Sequence, residues 1–300
     1  MADEQDVKYI LSLDGGGIKG AYLARILDKV SEILGEPIQN KFSMIYGTSI
    51  GGLIALKLSQ LDPTEKFECQ SLFVKKNIER IFDKSLLDNT LGMFQWKPIY
   101  DGNGKRKVID ETLIECDMSK AKTPVAVTSF KLGCFEPYIF SSWESKECMA
   151  VAADATSAAP IYFPPVRHND DWYVDGGIGV NNPVVMAIIA AKKRWPESRI
   201  KVLSIGTGSW FPTYTDDNLK NWGLVEWIKH GLIDMFMSSA SRANDMSAEL
   251  ILGDDYIRFN HRKLIDISMD DTSSDTIKKL YQYADESLEE KKLELTKFFK

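Results

Sequence analysis

Histidine is scarce in this chain: His168, His230 and His261 are the only three among 300 residues. Any chemistry that needs an imidazole has to be built from these three. The four cysteines, Cys69, Cys116, Cys134 and Cys148, are scattered, with no CxxC pair and no metal-like spacing. They read as reduced thiols, since a chain this long needs no disulfides to fold. No cluster of His, Cys and Asp residues is spaced to hold a metal, so neither metal nor organic cofactor is expected. Nor is there a lysine-arginine block: 37 basic residues stand against 43 acidic ones, a net charge of −6. That balance argues against a protein dedicated to duplex nucleic acid. The longest plain apolar run, Val184 to Ala191, is far shorter than the ~20 residues of a membrane span. The acidic start, Met1 to Asp6, lacks the positive and apolar regions of a signal peptide. The expectation is a soluble cytoplasmic protein.

What is present is an ordinary globular composition, 44% hydrophobic and 27% charged, without internal repeats. Tyr9–Leu13 is a short apolar run that leads straight into Asp14-Gly15-Gly16-Gly17. Ala21, Leu23, Ile26, Leu27 and Val30 then recur at helical spacing until Gly35 and Pro37 end the pattern. Phe42–Tyr46 reads as a second strand that meets Gly47-Thr48-Ser49-Ile50-Gly51, followed by a helix through Leu53, Ile54, Leu56 and Leu58. Residues 62–120 look helical and loop-like, with a polar turn at Asp101-Gly-Asn-Gly104. Pro124–Phe130 and Lys201–Ile205 are further strands, and Thr272 with Asp275 resembles a capping box before a last amphipathic helix. Strands alternating with helices predict an α/β fold, a mainly parallel sheet covered on both faces. No linker divides the chain, so residues 1–300 are expected to form one domain, with its motifs in about 8–206 and a C-terminal strand and helices in 207–300.

Two glycine turns carry the chemistry. Gly15-x-Gly17-x-x-Gly20 formally matches a dinucleotide fingerprint, but no carboxylate stands at the tip of the next strand to hold a ribose. A Walker P-loop is absent as well. A run of three glycines at a helix start instead turns bare amides outward, where the helix dipole favours negative charge. Such a nest suits an oxyanion. The second turn is a GxSxG between strand and helix, the context of a nucleophile elbow, with Gly47 and Gly51 relieving crowding around an exposed Ser49.

A serine hydroxyl needs a base. His261 lies in a polar strand-end segment, His168 in a surface-loop composition and His230 on the polar face of an amphipathic stretch. None invites a proton-transfer role. Asp175 is the better candidate: Trp172-Tyr-Val leads it into Gly176-Gly177, which have no side chains to obstruct a partner. Burial would raise its pKa, and a hydrogen bond to Ser49 would orient it. Asn182-Pro183 reads as an N-cap and a first helical proline, a structural role.

Together, Asp14-Gly-Gly-Gly-Ile-Lys-Gly20, Gly47-Thr-Ser-Ile-Gly51 and Asp175-Gly176-Gly177, in that order, resemble the patatin-like phospholipase family. So do Ala155-Thr-Ser-Ala-Ala-Pro160 with Phe163-Pro-Pro165, and the Asp270-Asp-Thr-Ser region. The resemblance implies a serine-aspartate lipid acyl hydrolase on a three-layer α/β/α fold. It makes Ser49 the nucleophile, Asp175 the general base, and the amides of Gly15, Gly16 and Gly17 the oxyanion hole. Lys19 stands where many members carry Arg, which keeps the charge but loses bidentate geometry. The substrate it implies is a phospholipid or galactolipid, met in transient contact with a membrane surface. A small-molecule activator is left open, because nothing in the sequence marks its site.

Apolar residues that could meet lipid form two groups. Trp222, Val225, Ile228, Leu232, Met235 and Phe236 recur at helical spacing, and Leu86-Leu87, Leu91, Met93-Phe94 and Trp96 cluster. Both groups read as core or as an interfacial surface. Two other functions fit less of the pattern: a histidine-assisted esterase or thioesterase on soluble acyl esters, and a non-catalytic acyl- or nucleotide-binding module.

Overall fold

The computed structural model describes residues 6–83, 97–144, 146–209, 217–229, 232–262 and 267–300. Its strands are β1 (Val7–Leu13), β2 (Met44–Thr48), β3 (Val125–Lys131), β4 (Glu136–Ser141), β5 (Val166–His168), β6 (Asp171–Asp175), β7 (Arg199–Ile205) and β8 (Tyr256–Phe259). The helices are α1 (Gly20–Leu34), α2 (Ile38–Lys41), α3 (Ser49–Gln60), α4 (Lys75–Ile81), α5 (Asn103–Thr112), α6 (Met149–Thr156), α7 (Gly177–Val180), α8 (Val184–Arg194), α9 (Leu224–Lys229), α10 (Leu232–Leu252) and α11 (Ser274–Phe298).

All eight strands join one sheet: β2-β1-β7-β8 and β6-β5 both lead off one edge of β3, and β4 pairs along its other edge. The run β3-β2-β1-β7-β8 is parallel, whereas β4, β5 and β6 pair antiparallel. Period-two alternation sorts the central side chains. Leu11, Ile45, Val125 and Leu203 pack under α1, α3, α6 and α11. Ile10, Met44, Ala126 and Val202 pack against α8 and the end of α10. The expected three-layer α/β/α arrangement is what the chain adopts.

Several local expectations need correction. His168 ends strand β5 and does not sit in a surface loop. The supposed Asp101–Gly104 turn is the start of α5: Asp101 Oδ1 accepts from the Asn103 amide at 2.8 Å, and helix follows at once. The last helix is capped one residue later than read, since Ser273 Oγ accepts from the Thr276 amide at 3.2 Å. The N-cap of α8 is Pro183, one residue later than read; Asn182 precedes it, with its Oδ1 accepting from the Val184 amide at 3.1 Å.

Register on β3 does the positioning. Thr48, the last residue of β2, pairs with Thr128, while Asp175, the last residue of β6, pairs with Ser129. Strands β2 and β6 thus occupy the same edge of β3 and meet end to end. Residues far apart in sequence are delivered to adjacent positions along one strand.

Candidate active site

Ser49 opens α3 directly from β2, and its φ of +53° is one of the few positive values outside glycine. A non-glycine residue held there is strained, and such strain persists only where surroundings enforce it. The enforcement is visible. Ser49 N–H donates to Thr156 Oγ1 at 2.9 Å, and that hydroxyl donates to the Thr128 carbonyl at 2.6 Å. Thr48 Oγ1 bonds Thr128 Oγ1 at 2.7 Å and the Val180 carbonyl at 2.8 Å. The elbow also needs bare flanks: a Cβ on Gly51 would fall 2.5 Å from the Leu13 carbonyl oxygen, and one on Gly47 2.5 Å from that of Gly51.

Asp175 is buried, with its amide donating to the Ala158 carbonyl at 3.0 Å and its Oδ1 accepting from the Gly177 amide at 2.7 Å. Gly176 is pressed onto Thr128, where a Cβ would fall 2.2 Å from the hydroxyl oxygen. Burial raises the Asp175 pKa to about 6, while the Ser49 hydroxyl, the Gly177 amide and the Lys105 ammonium pull it down. The second carboxylate oxygen, Oδ2, is buried and takes no hydrogen bond among the described residues. The Ser49 hydroxyl is therefore near enough to be felt but is not engaged in a well-formed bond. Hydrogen bonds of this kind are often long in unliganded sites and tighten around substrate.

The glycine loop lies against this pair. Gly15 approaches so closely that a Cβ would sit 3.1 Å from Ser49 Cβ and 2.5 Å from Asn181 Oδ1. Its own amide is taken, donating to the Asn181 carbonyl at 3.2 Å. The amides of Gly16 and Gly17 donate to nothing among the described residues. Behind the loop, Arg258 on β8 makes a buried pair of contacts to Asp14, at 2.6 and 3.2 Å. Lys19 faces a wide groove of about 1430 Å³ that runs past Gly15 and Gly16 along β8.

A second, apolar pocket of about 70 Å³ opens beside Ser49, walled by Ile50, Leu53, Phe73, Ile78, Phe82 and Phe163. Among its lining residues, Lys105 was not anticipated from sequence. Thr156 and Ala158 fall in the Ala155–Pro160 segment noted in the sequence, but nothing there revealed that one holds the Ser49 amide and the other the Asp175 amide. The histidines lie elsewhere. His168 Nε2 bonds Glu147, and His261 Nδ1 meets Ser287 Oγ at 3.3 Å with its ring stacked on Tyr283. His230 and the cluster around Trp96 lie outside the described residues, as do the side chains of Ile228 and Leu232. Trp222 packs edge-on against Trp227 at 5.1 Å, whereas Val225 and Phe236 are exposed. No described helix is long and apolar enough to cross a membrane.

Fold and site define a class of α/β proteins in which a strained strand-to-helix serine stands against a carboxylate beneath a glycine loop. Within it, this chain belongs to the patatin-like phospholipase family, whose family model matches residues 11–188. It is 29% identical over 282 residues to a cGAMP-activated phospholipase of Pseudomonas aeruginosa, covering 90% of this chain and 83% of that protein. Patatin group M-3 of Solanum tuberosum is 33% identical over 266 residues, covering 75% of this chain and 67% of the patatin. The chain spans 37% of the calcium-independent phospholipase A2-gamma of Mus musculus, at 25% identity. Among solved structures, VipD from Legionella pneumophila aligns with 95% of this chain and 68% of its own, at a TM-score of 0.48 and 13% identity. Lipid hydrolysis is the activity class that family and relatives support.

Proposed function

We propose that this chain is a phospholipase A-type lipid acyl hydrolase that cleaves fatty-acyl esters of membrane glycerolipids through Ser49 and Asp175. The observation that supports it best is the β3 register, which brings the end of β2, where Ser49 follows, next to Asp175, whose buried Oδ2 has no hydrogen-bond partner among the described residues. Asp175 accepts the Ser49 proton as Oγ attacks the ester carbonyl carbon. The tetrahedral oxyanion is received by the Gly16 and Gly17 amides, while Gly15 shapes the loop and lets it approach. One such donor is worth roughly 100-fold or more in rate. Collapse of the tetrahedral species breaks the ester C–O bond, and the lysolipid leaves with the proton held by Asp175. Water, giving a proton to the same carboxylate, then attacks the acyl-serine; the fatty acid departs and the proton returns to Ser49.

The apolar pocket beside Ser49 receives the carbonyl end of the acyl chain. The exposed Val225 and Phe236 offer a surface for transient bilayer contact, and Lys19 a positive charge at the groove mouth. The contacts made by His168 and His261 favour a carboxylate base over an imidazole.

The test is fatty-acid and lysolipid release from phosphatidylcholine or galactolipid vesicles, assayed with and without cGAMP because of the relative so named. A fluorophosphonate probe should label the native protein at Ser49, and Ser49→Ala should abolish both labelling and release. Release that survives in a folded Ser49→Ala protein contradicts the proposal.

A further inference from the structure

Lysine is among the residues least often fully buried unless paired, yet Lys105 is only 3% exposed. It reaches the interior because α5 begins at Asn103 and packs tightly on α4, where a Cβ on Gly104 would fall 1.7 Å from the Arg80 carbonyl oxygen. Its Nζ donates to Asp154 Oδ1 at 3.0 Å and to the Asp154 carbonyl at 3.1 Å, and stands 4.8 Å from the centre of the Phe163 ring. Asp154 is held by Arg106 as well, so that carboxylate would keep a cation without Lys105. Burying an additional ammonium is costly, because the charge loses its hydration. The ammonium nevertheless lines the same pocket as Ser49 and acts on Asp175 as an opposite charge.

We propose that Lys105 is a positioning residue of the reaction: clamped by Asp154 and Phe163 in the wall of the acyl pocket that Ser49 also lines, its ammonium is the fixed countercharge of the Ser49–Asp175 pair. This rests on Asp175 being the base. The physical need arises when substrate enters. An acyl chain filling the pocket expels water, which penalises a bare carboxylate at the moment it has to accept a proton. A cation fixed in the same pocket strengthens as the surroundings dry, because its attraction grows as the dielectric falls. Lys105 transfers no proton.

The groups that bear on each partner are few. The Gly177 amide of α7 bonds Asp175, and the Ser49 hydroxyl of α3 and the Lys105 ammonium of α5 also favour its charged form. Lys105 is faced by Asp154 on α6 and Asp175 on β6, with Arg106 beside it on its own helix. Burial lowers the Lys105 pKa, and the two carboxylates oppose that fall. The Asp154 backbone also joins the chain of contacts to the site. Ser157 Oγ donates to the Ala153 carbonyl at 2.7 Å and lies 3.5 Å from the Asp154 carbonyl, and Ala158, the next residue, accepts the Asp175 amide.

The experiment compares native, Lys105→Met and Lys105→Arg proteins on short- and long-chain p-nitrophenyl esters across the pH range. Loss of a nearby opposite charge moves a carboxylate by about one pH unit or more. Lys105→Met should therefore lose about five-fold more turnover near pH 6 than on the alkaline side. The acid limb should move further in kcat, which reports the substrate complex, than in kcat/KM, and further for the longer chain. Lys105→Arg should restore the limb towards its native position. An unmoved limb in a folded Lys105→Met protein overturns the proposal. If that variant does not fold, ¹⁵N-lysine NMR of the native and Asp175→Asn proteins decides. The Lys105 titration should fall by about one unit without the carboxylate, and an unchanged titration overturns the proposal. An active Asp175→Asn enzyme would instead defeat the base assignment itself, whereas an inactive one with an unmoved Lys105→Met limb defeats only the role given to Lys105.

Discussion

A carboxylate whose pKa is lifted to about 6 inside an apolar wall weighs against folding wherever it is ionised. The unfolded Asp175 has a pKa of about 3.9, so between about pH 4 and 6 the native state holds the proton more tightly. Stability therefore falls as pH rises through that window, and above it the full cost, about 3 kcal/mol, is in place. Asp175→Asn removes the charge and keeps an oxygen for the Gly177 amide, so it should raise the melting temperature by a few degrees near pH 8. Scanning calorimetry checks this, and the gain should shrink as pH falls below about 6 and vanish near pH 4. Ser49 and Asp175 were both legible in the sequence because each sits in a glycine-flanked motif whose bareness has a local steric cause. Lys105 was not. Its signal is a polar Gly-Asn-Gly-Lys-Arg string that reads as a turn, and what buries it is the long-range contact of α5 with α4.

At the scale of elements, the decisive feature is β3, which is paired by β2 and β6 along one edge. The parallel centre of the sheet follows from alternating strands and helices, and it was readable as such. The antiparallel strands β4, β5 and β6 were not, because β5 is only Val166–His168 and Arg167 and His168 look like loop composition. The end of α6 joins these elements to the elbow: Thr156 accepts from Ser49 and donates to Thr128. Thr156→Val keeps the shape and leaves a buried amide and a buried carbonyl without partners, at a cost of about 1–3 kcal/mol each. The variant should lose about 2–6 kcal/mol in denaturant unfolding. Ester turnover should fall too, because positive φ at Ser49 is no longer enforced.

Across the whole molecule, the site draws on both ends of the chain. The glycine loop follows β1, yet the guanidinium that braces Asp14 comes from Arg258 on β8, beyond the residues 11–188 that carry the family match. Arg258 is also tied to Ser204 on β7 at 2.6 Å, and Tyr256 bonds Asp245 on α10 at 2.8 Å. Asp14 was legible as part of a motif. Its partner was not, because a lone arginine in Tyr256-Ile-Arg-Phe259 carries no local mark of the strand that buries it. The three ordered motifs are thus readable one by one, whereas the frame that brings them together depends on sheet order. Everything in the proposed chemistry then converges on a proton passing from Ser49 to Asp175 with no imidazole between them. The most direct test is the turnover of Asp175→Asn on a soluble ester near pH 8, alongside a melting curve that shows it folded. The predicted result is a fall in kcat of about 10⁴-fold or more. Turnover close to native in that folded variant would contradict the dyad.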